Sequence, residues 1–145
     1  MALPFQNPIS QAMPGFGSPS CYGAATQTPT GTGANTLVIG ATTTTPSSGG
    51  TPFNLNGGPA PTAGKWHLRI VNATTTATVT IAVQVTDGTN VWNVFEMNSA
   101  LTLASGYLDL TGEFKTDVSI TAVNFVVTGG GTITSLPIDV EVSLV

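Results

Sequence analysis

Residues 76–86 read Thr-Ala-Thr-Val-Thr-Ile-Ala-Val-Gln-Val-Thr, and apolar side chains occupy every second position of this run. Side chains of a β-strand point alternately to opposite faces, so the pattern predicts a strand with one buried face. The predicted inner positions are Ala77, Val79, Ile81, Val83 and Val85. The next four residues, Asp-Gly-Thr-Asn, are typical of a turn, and another apolar run follows at residues 91–97. We therefore predict a β-hairpin in this part of the chain.

Two other runs alternate with the same period. In residues 65–72, Trp66, Leu68 and Ile70 alternate with charged or polar side chains. Residues 137–145 carry an apolar stripe that consists of Ile138, Val140, Val142 and Leu144. An exposed apolar edge strand would invite aggregation, so we expect the final strand to lie inside a sheet or to be completed by a neighbouring subunit.

Shorter strands are predicted at residues 35–40, 101–103 and 107–110. In residues 118–127 the phase of the apolar positions reverses near Ala122, which predicts a bulge or a bend between two sheets at that point. Roughly seven or eight short strands without a convincing helical pattern are typical of an all-β protein. We predict an antiparallel β-sandwich of jelly-roll or immunoglobulin-like type.

The first 64 residues contain no Asp, Glu, Lys, Arg or His and hold most of the prolines and glycines of the chain. Such a composition excludes a continuous helix or the centre of a sheet over most of this region. We predict an extended, irregular N-terminal arm over residues 1–33 and a β-sandwich domain over residues 34–145. Within that domain, residues 41–64 are expected to form a long Gly/Pro/Thr-rich surface loop, with Phe53 and Leu55 as its large apolar anchors.

The predicted arm is unlike an ordinary disordered tail, because it combines bulky apolar side chains with a lack of charge. A segment of this kind favours a surface on which its apolar groups are covered. We expect the arm to dock onto a partner, and the alternative is a tail without a binding function. The candidate contact residues are Leu3, Phe5, Ile9, Met13, Phe16 and Tyr22.

Charge and cysteine content exclude several classes of protein. The net charge is -4 and the chain has only three Lys and Arg residues, which argues against nucleic-acid binding because several cations are needed to neutralise phosphates. No basic segment followed by an apolar run opens the sequence, so we expect neither a secretory signal nor a membrane-spanning helix. Cys21 is the only cysteine, which excludes an internal disulfide. We expect it to act as a small apolar residue, with a disulfide between subunits as the alternative.

The sequence offers no evident catalytic or metal-binding constellation. His67 is the only histidine and lies on the polar phase of its strand, so we expect a surface histidine. Ser47, Ser48 and Asp87 are possible catalytic partners for it, but no nucleophile-elbow motif accompanies them. Asp139 and Glu141 share a strand face at a spacing seen in calcium sites, without a third acid nearby. We predict no catalytic residues, no metal and no cofactor.

The two tryptophans allow two interpretations. Trp66 and Trp92 could together form an aromatic platform for a sugar. A tryptophan in a strand of so small a sandwich is more often part of the core. The core is the favoured interpretation, and the aromatic platform stays open as the alternative.

The layout of the chain resembles that of the small decoration, or cement, proteins on the capsids of tailed bacteriophages. The resemblance rests on the neutral arm and on the strand patterns at residues 65–72, 76–86 and 137–145. It implies a β-domain on the outside of an icosahedral shell that binds the major capsid protein and bridges neighbouring capsid subunits. It also implies a homo-oligomer, either a trimer or a dimer, that is made in the host cytoplasm and located on the virion. No catalytic residues come with the resemblance.

Two other functions compete with capsid decoration. The first is a receptor- or carbohydrate-binding β-domain of a phage fibre or a surface protein, in which exposed aromatic residues contact the ligand. A fibre domain is commonly preceded by a repeat or a coiled coil, and neither pattern is present in this sequence. The second is a hydrolase, and no catalytic motif in the sequence supports it.

Overall fold

The computed structural model describes residues 21–55, 57–71, 77–103 and 107–145. Within these residues the chain forms β-strands and no helix. The strands are β1 Cys21–Gln27, β2 Gly33–Gly40, β3 Thr44–Thr45, β4 Ala63–Val71, β5 Thr78–Thr86, β6 Val91–Glu96, β7 Leu101–Thr102, β8 Tyr107–Lys115, β9 Ala122–Gly130 and β10 Ile138–Leu144. The predicted all-β class is confirmed.

The strands lie in two antiparallel sheets. Sheet A has the order β1-β10-β4-β8, and sheet B has the order β3-β2-β9-β5-β6, with the short β7 paired to β5. The long strands pair in a nested way: β1 with β10, β2 with β9, β4 with β8, and β5 with β6. A jelly roll has this arrangement, because one long hairpin is rolled up into two facing sheets. The predicted antiparallel β-sandwich is confirmed, and its strand order is that of a jelly roll.

The turn between β5 and β6 is the tip of the rolled hairpin. The carboxylate of Asp87 accepts hydrogen bonds from the backbone N–H groups of Asn90 at 2.6 Å and Thr89 at 2.8 Å. These donors stabilise the charged form and hold the pKa of Asp87 below its usual value. Gly88 has a φ of 96°, in the left-handed region that glycine adopts without a steric penalty. The hairpin predicted from this turn is confirmed.

Alternate residues of the strands fill the core between the sheets. The inner residues predicted in residues 76–86 and in the last strand are each no more than 1% exposed. Trp66 on β4 packs its indole ring against Phe95 and Phe125, with ring centroids 5.3 and 6.3 Å away. Gly112 lies opposite Trp66 on β8, and a Cβ atom there would come within 2.5 Å of the indole ring. The close approach of the Trp66 ring to β8 therefore requires glycine.

The last strand lies inside its sheet, as predicted. β10 pairs with β1 on one side and with β4 on the other. Its four apolar side chains point into the core, while Glu141 and Ser143 are exposed on the outer face. Both backbone edges of this strand are thereby hydrogen-bonded, so the apolar stripe is not an exposed edge.

The loop predicted at residues 41–64 ends earlier, because Ala63 and Gly64 already belong to β4. Its two-residue strand β3 extends sheet B next to β2. Thr51 exchanges two backbone hydrogen bonds with Ala24 of β1, at 2.9 and 2.7 Å. Phe53 is fully buried, and Leu55 packs against the core from a partly buried position. Both predicted anchors of this loop therefore contact the core.

The sandwich begins earlier than the sequence predicts. The sequence places residues 21–27 in the arm, but they form β1 at the edge of sheet A. The inward positions of β1 are Cys21, Gly23 and Ala25, which are too small to give a visible apolar alternation. The small size is required, because a Cβ atom on Gly23 would collide with the side chain of Ile39. Cys21 is buried, as expected of a small apolar residue.

The phase reversal near Ala122 has a different cause from the predicted one. β9 begins at Ala122, and residues 118–121 lie before the strand and not inside it. Ile120 is buried there, and its N–H donates to the carbonyl of Pro61 at 2.9 Å. The apolar residues on the two sides of Ala122 therefore belong to a loop and to a strand, and their phases need not agree. A shift of register does occur between β5 and β6, at Val83 and Gln84.

The burial of β10 leads to a test of its register. Val142 is 1% exposed and its neighbour Ser143 is exposed on the opposite face. We expect Val142→Asp to lower the free energy of unfolding by several kcal/mol, because a carboxylate must be desolvated or protonated in the core. The matched control Ser143→Asp should stay within about 0.5 kcal/mol of the parent chain. Thermal unfolding compares the two variants, and equal melting temperatures would contradict the register.

Candidate functional site

The two outer faces of the sandwich differ in charge. The three Lys and Arg residues of the chain and its only histidine all lie on sheet A, in β4 and β8. β10 adds Asp139 and Glu141 to the same sheet. The three central strands of sheet B, which are β2, β9 and β5, contain no charged residue. The molecule thus has one charged face and one face that is uncharged across its centre.

Strand register arranges the outer side chains of sheet A in rows across the sheet. In one row, Tyr22 of β1 lies opposite Ser143 of β10, which lies opposite Lys65 of β4 and then Glu113 of β8. In the next row, Ala24, Glu141, His67 and Thr111 follow one another in the same order of strands. An aromatic ring, hydroxyl groups, an ammonium group, an imidazole and two carboxylates therefore share one small area.

His67 lies between two carboxylates in this area. Its Nε2 is 2.6 Å from Oδ1 of Asp109, and its Nδ1 is 4.0 Å from Oε1 of Glu141. A carboxylate can only accept hydrogen bonds, so the Nε2–H group of His67 donates a hydrogen bond to Asp109. A general base for a hydroxyl nucleophile needs a ring nitrogen directed at that hydroxyl, and both ring nitrogens here face carboxylates. The imidazole is half-buried, with 34% of its side chain exposed.

Tyr22 is the large aromatic residue at the edge of this face, and its side chain is 53% exposed. Partial desolvation, followed by the negative charge of Glu141 and a hydrogen bond to its carboxylate, raises the pKa of Tyr22 above its usual value of 10.0. Tyr22 therefore combines an exposed ring with a hydroxyl group that the carboxylate of Glu141 affects.

A depression of about 590 Å³ lies over these two rows of side chains. Its lining includes the long side chains of Tyr22 and His67 and the short ones of Ser143 and Thr111. Glu113, Glu141 and Lys65 all border it. We call this depression the sheet A groove. It carries donors, acceptors and one exposed aromatic ring, which is the composition of a site for a small polar ligand.

The outer face of sheet B is uncharged across β2, β9 and β5. Its half-buried centre is lined by Thr80, Ala82 and Gln84 of β5 and by Asn124 and Val126 of β9. The register places Thr36, Val126 and Ala82 in one row, and Val38, Asn124 and Gln84 in the next. Hydroxyl, amide and small apolar groups alternate here. Among the described residues of sheet B, only Glu96 at the β6 edge is charged. We call this surface the sheet B face.

The structure separates the two tryptophans. Trp66 is 3% exposed and belongs to the core, as predicted. Trp92 is 37% exposed and borders a second depression, of about 470 Å³, between β6 and the segment that follows β8. The shared aromatic platform considered above is therefore not formed. Trp92 lies on the inward phase opposite Val85, but β6 is an edge strand and covers it incompletely.

The remaining predicted residues have varied positions. The arm residues Leu3, Phe5, Ile9, Met13 and Phe16 lie outside the described residues. Tyr22, which the sequence placed with them, belongs to β1. Asp139 forms an exposed ion pair with Arg69 at 3.4 Å, a contact of the kind that contributes about 0 to 1 kcal/mol.

The acidic and histidine side chains of the described residues form no cluster of three or more that could hold a metal ion. In the same part of the chain, no helix has the length and apolar character to cross a membrane. The sequence did not reveal the contact between His67 and Asp109, because these residues are 42 positions apart and meet only through the pairing of β4 with β8.

The contact between Tyr22 and Glu141 can be tested by titration. The folded pKa of Tyr22 is raised, so its stabilising contribution is fully present below about pH 10 and is lost as pH rises through the folded pKa. Glu141→Gln should lower the pKa of Tyr22 towards its usual value, because the negative charge is removed. NMR titration of the labelled tyrosine ring measures the shift. Asp109→Asn is the matched control and should leave this pKa unchanged; an equal pKa in Glu141→Gln and the parent would refute the contact.

No protein-family model matches the chain, and no curated protein matches its sequence. Among solved structures, the chain is similar to the Yersinia pseudotuberculosis-derived mitogen, with a TM-score of 0.48 and 8% sequence identity over 87% of each chain. It is also similar to part of the N-terminal endo-1,4-β-D-xylanase 10B of Clostridium thermocellum, whose CBM22-1 and GH10 modules were crystallised with xylohexaose. That match has a TM-score of 0.40 and 15% identity, and covers 60% of this chain and 17% of that chain.

Proposed function

We propose that this chain is a structural protein of the capsid-decoration type, which binds the outer surface of a phage shell and bridges neighbouring capsid subunits. The observation that carries the proposal is the separation of charge between the two faces of the sandwich. The centre of the sheet B face, which carries hydroxyl, amide and small apolar groups, can be covered by a protein surface without desolvating an ionised group. The sheet B face therefore contacts the shell, and the charged face of sheet A remains in solvent.

The N-terminal residues supply the bridging part of the proposal. Residues 1–20 are uncharged and lead directly into β1, which is an edge strand of sheet A. A segment of this length spans at most about 70 Å when fully extended, which is enough to contact a second capsid subunit. Ordering it costs about 1 to 2 kcal/mol per residue, so one arm alone binds weakly. A dimer or trimer repeated over a symmetric shell increases the effective concentration of the arms and offsets this cost.

The fold is compatible with the proposal without deciding it. Jelly rolls occur in viral capsid proteins and also in lectins, and one fold supports unrelated functions. The proposal therefore rests on the distribution of side chains over the two faces. It includes the absence of a catalytic role and a location on the exterior of the virion.

The second candidate function is binding of a carbohydrate or a receptor. One observation favours it, namely the sheet A groove with the exposed ring of Tyr22 at its border. The two candidate functions use opposite faces of the sandwich. A chain attached by the sheet B face would leave the sheet A groove accessible.

Electron microscopy of virus particles from the producing host tests the attachment. We expect density for the jelly roll at regular positions on the outside of the shell, with sheet B towards the capsid. To test the orientation, particles are prepared with Thr80→Lys, which places an ammonium group at the centre of the sheet B face. We expect this variant to occupy fewer than about one tenth of the parent positions, because the charge must be desolvated in the interface.

Thr111→Lys is the matched control for Thr80→Lys. It makes the same chemical change on the exposed outer face of sheet A. We expect the occupancy of this variant to equal that of the parent chain. Density on a protruding fibre would overturn capsid decoration. If the Thr111→Lys variant lost occupancy on the particle and the Thr80→Lys variant kept it, the proposed orientation would be reversed.

The contribution of the arm is tested by deletion of residues 2–20. This cut leaves β1 intact, whereas a cut at residue 33 would remove β1 and expose an edge of β10. We expect the shortened chain to keep its melting temperature and to lose particle occupancy. Differential scanning calorimetry and quantitative gel analysis of the particles measure the two properties. Unchanged occupancy would assign attachment to the sheet B face alone.

A further inference from the structure

We propose that the sheet A groove is a binding site for a neutral oligosaccharide. This inference rests on the second candidate function and is independent of attachment through the sheet B face. The site consists of Tyr22, Lys65, Glu113 and Ser143 of the first row and of Glu141 and Thr111 of the second row.

The aromatic ring of Tyr22 is open to solvent at the border of the groove. Tyr22 is 53% exposed and lines the groove together with Glu141. A sugar ring has an apolar face of C–H groups, which packs on the face of an aromatic side chain. A tyrosine has few rotatable bonds and provides such a surface at low entropic cost.

Polar groups form a row beside the ring of Tyr22. The row that starts at Tyr22 continues with the hydroxyl of Ser143, the ammonium of Lys65 and the carboxylate of Glu113. A carboxylate accepts hydrogen bonds from two neighbouring hydroxyls, and an ammonium donates to hydroxyl or ring oxygens. Hydrogen bonds with a charged partner are stronger than those between neutral groups. This row therefore suits a ligand with several adjacent hydroxyl groups.

The lining of the groove has a small negative charge. It contains the carboxylates of Glu113 and Glu141 and one ammonium group, that of Lys65, so with the imidazole of His67 neutral its net charge is -1. Such a lining favours a neutral ligand over a polyanion. Four strands contribute to the groove, and three interstrand spacings amount to about 14 Å. This width suits a short oligosaccharide more than a single sugar.

An array of neutral, anionic and cationic oligosaccharides, followed by NMR titration of the full chain with each positive glycan, tests the inference. We expect binding of at least one neutral glycan, with chemical-shift changes at Tyr22 and on the outer faces of β4 and β10. Tyr22→Ala should weaken this binding by at least about tenfold, and Glu113→Gln by several-fold. Tyr22 is a surface residue, so we expect Tyr22→Ala to keep the melting temperature of the parent chain. Measuring the melting temperature of each variant excludes unfolding as the cause of weaker binding.

The controls separate this site from the rest of the molecule. Trp92→Ala removes the exposed tryptophan of the second depression and should leave glycan affinity unchanged. Thr80→Lys should leave it unchanged as well, although it impairs attachment to the shell. Absence of any neutral binder, a preference for anionic glycans, or affinity that depends on Trp92 and not on Tyr22 would each overturn the inference. If no neutral glycan bound while particle occupancy was unchanged, the oligosaccharide site would be overturned and the proposal of capsid decoration would not be affected.

Discussion

The jelly roll depends on one constraint, which is that every long strand must direct alternate side chains into a single core. The constraint is strictest at β10, whose two neighbours fix its register from both sides. A slip by one residue would turn Asp139 and Glu141 inward and expose Val140 and Val142. The same register places Trp66 opposite Gly112 and thereby leaves room for the largest side chain of the core. The rows of polar groups on the outer face of sheet A follow from this inner requirement.

The sequence predicts the parts of the fold in which large apolar residues alternate, which include β4, β5 and β10, and it predicts the β5–β6 turn from its Asp-Gly-Thr-Asn composition. It does not reveal β1, because Cys21, Gly23 and Ala25 are small and the strand is specified by its partner. Pairing of distant strands is also invisible in one sequence. The contact of His67 with Asp109 and the position of Tyr22 beside Glu141 both depend on such pairing, and so the candidate site could not be predicted. The exposure of Trp92 results from its place on an edge strand, which the local pattern does not show.

Sheets that pack in a sandwich lie about 10 Å apart, so the two outer faces are close in space while their chemistry differs. Because side chains alternate, each face can change without altering the core, provided that the inward residues remain. The charged groups are spread over three adjacent strands of sheet A, and their mutual pairs, such as Arg69 with Asp139, are exposed. These pairs add little to the stability of the fold. Their arrangement is better explained by what the face meets in solution than by the needs of the sandwich.

The nested pairing of strands also determines when the protein can fold during its synthesis. β1 is paired with β10, so the first strand of the sandwich must wait for the last one. β4 likewise lacks one neighbour until β10 leaves the ribosome, because β10 lies between β1 and β4. Contacts between residues far apart in sequence are slow to form, and unpaired strand edges are prone to associate with other chains. The nascent chain must therefore keep several apolar strands in solution until β10 emerges. In cells that make many copies at once, the rate of translation of the segment that contains β10 and the presence of chaperones would limit the yield of folded protein.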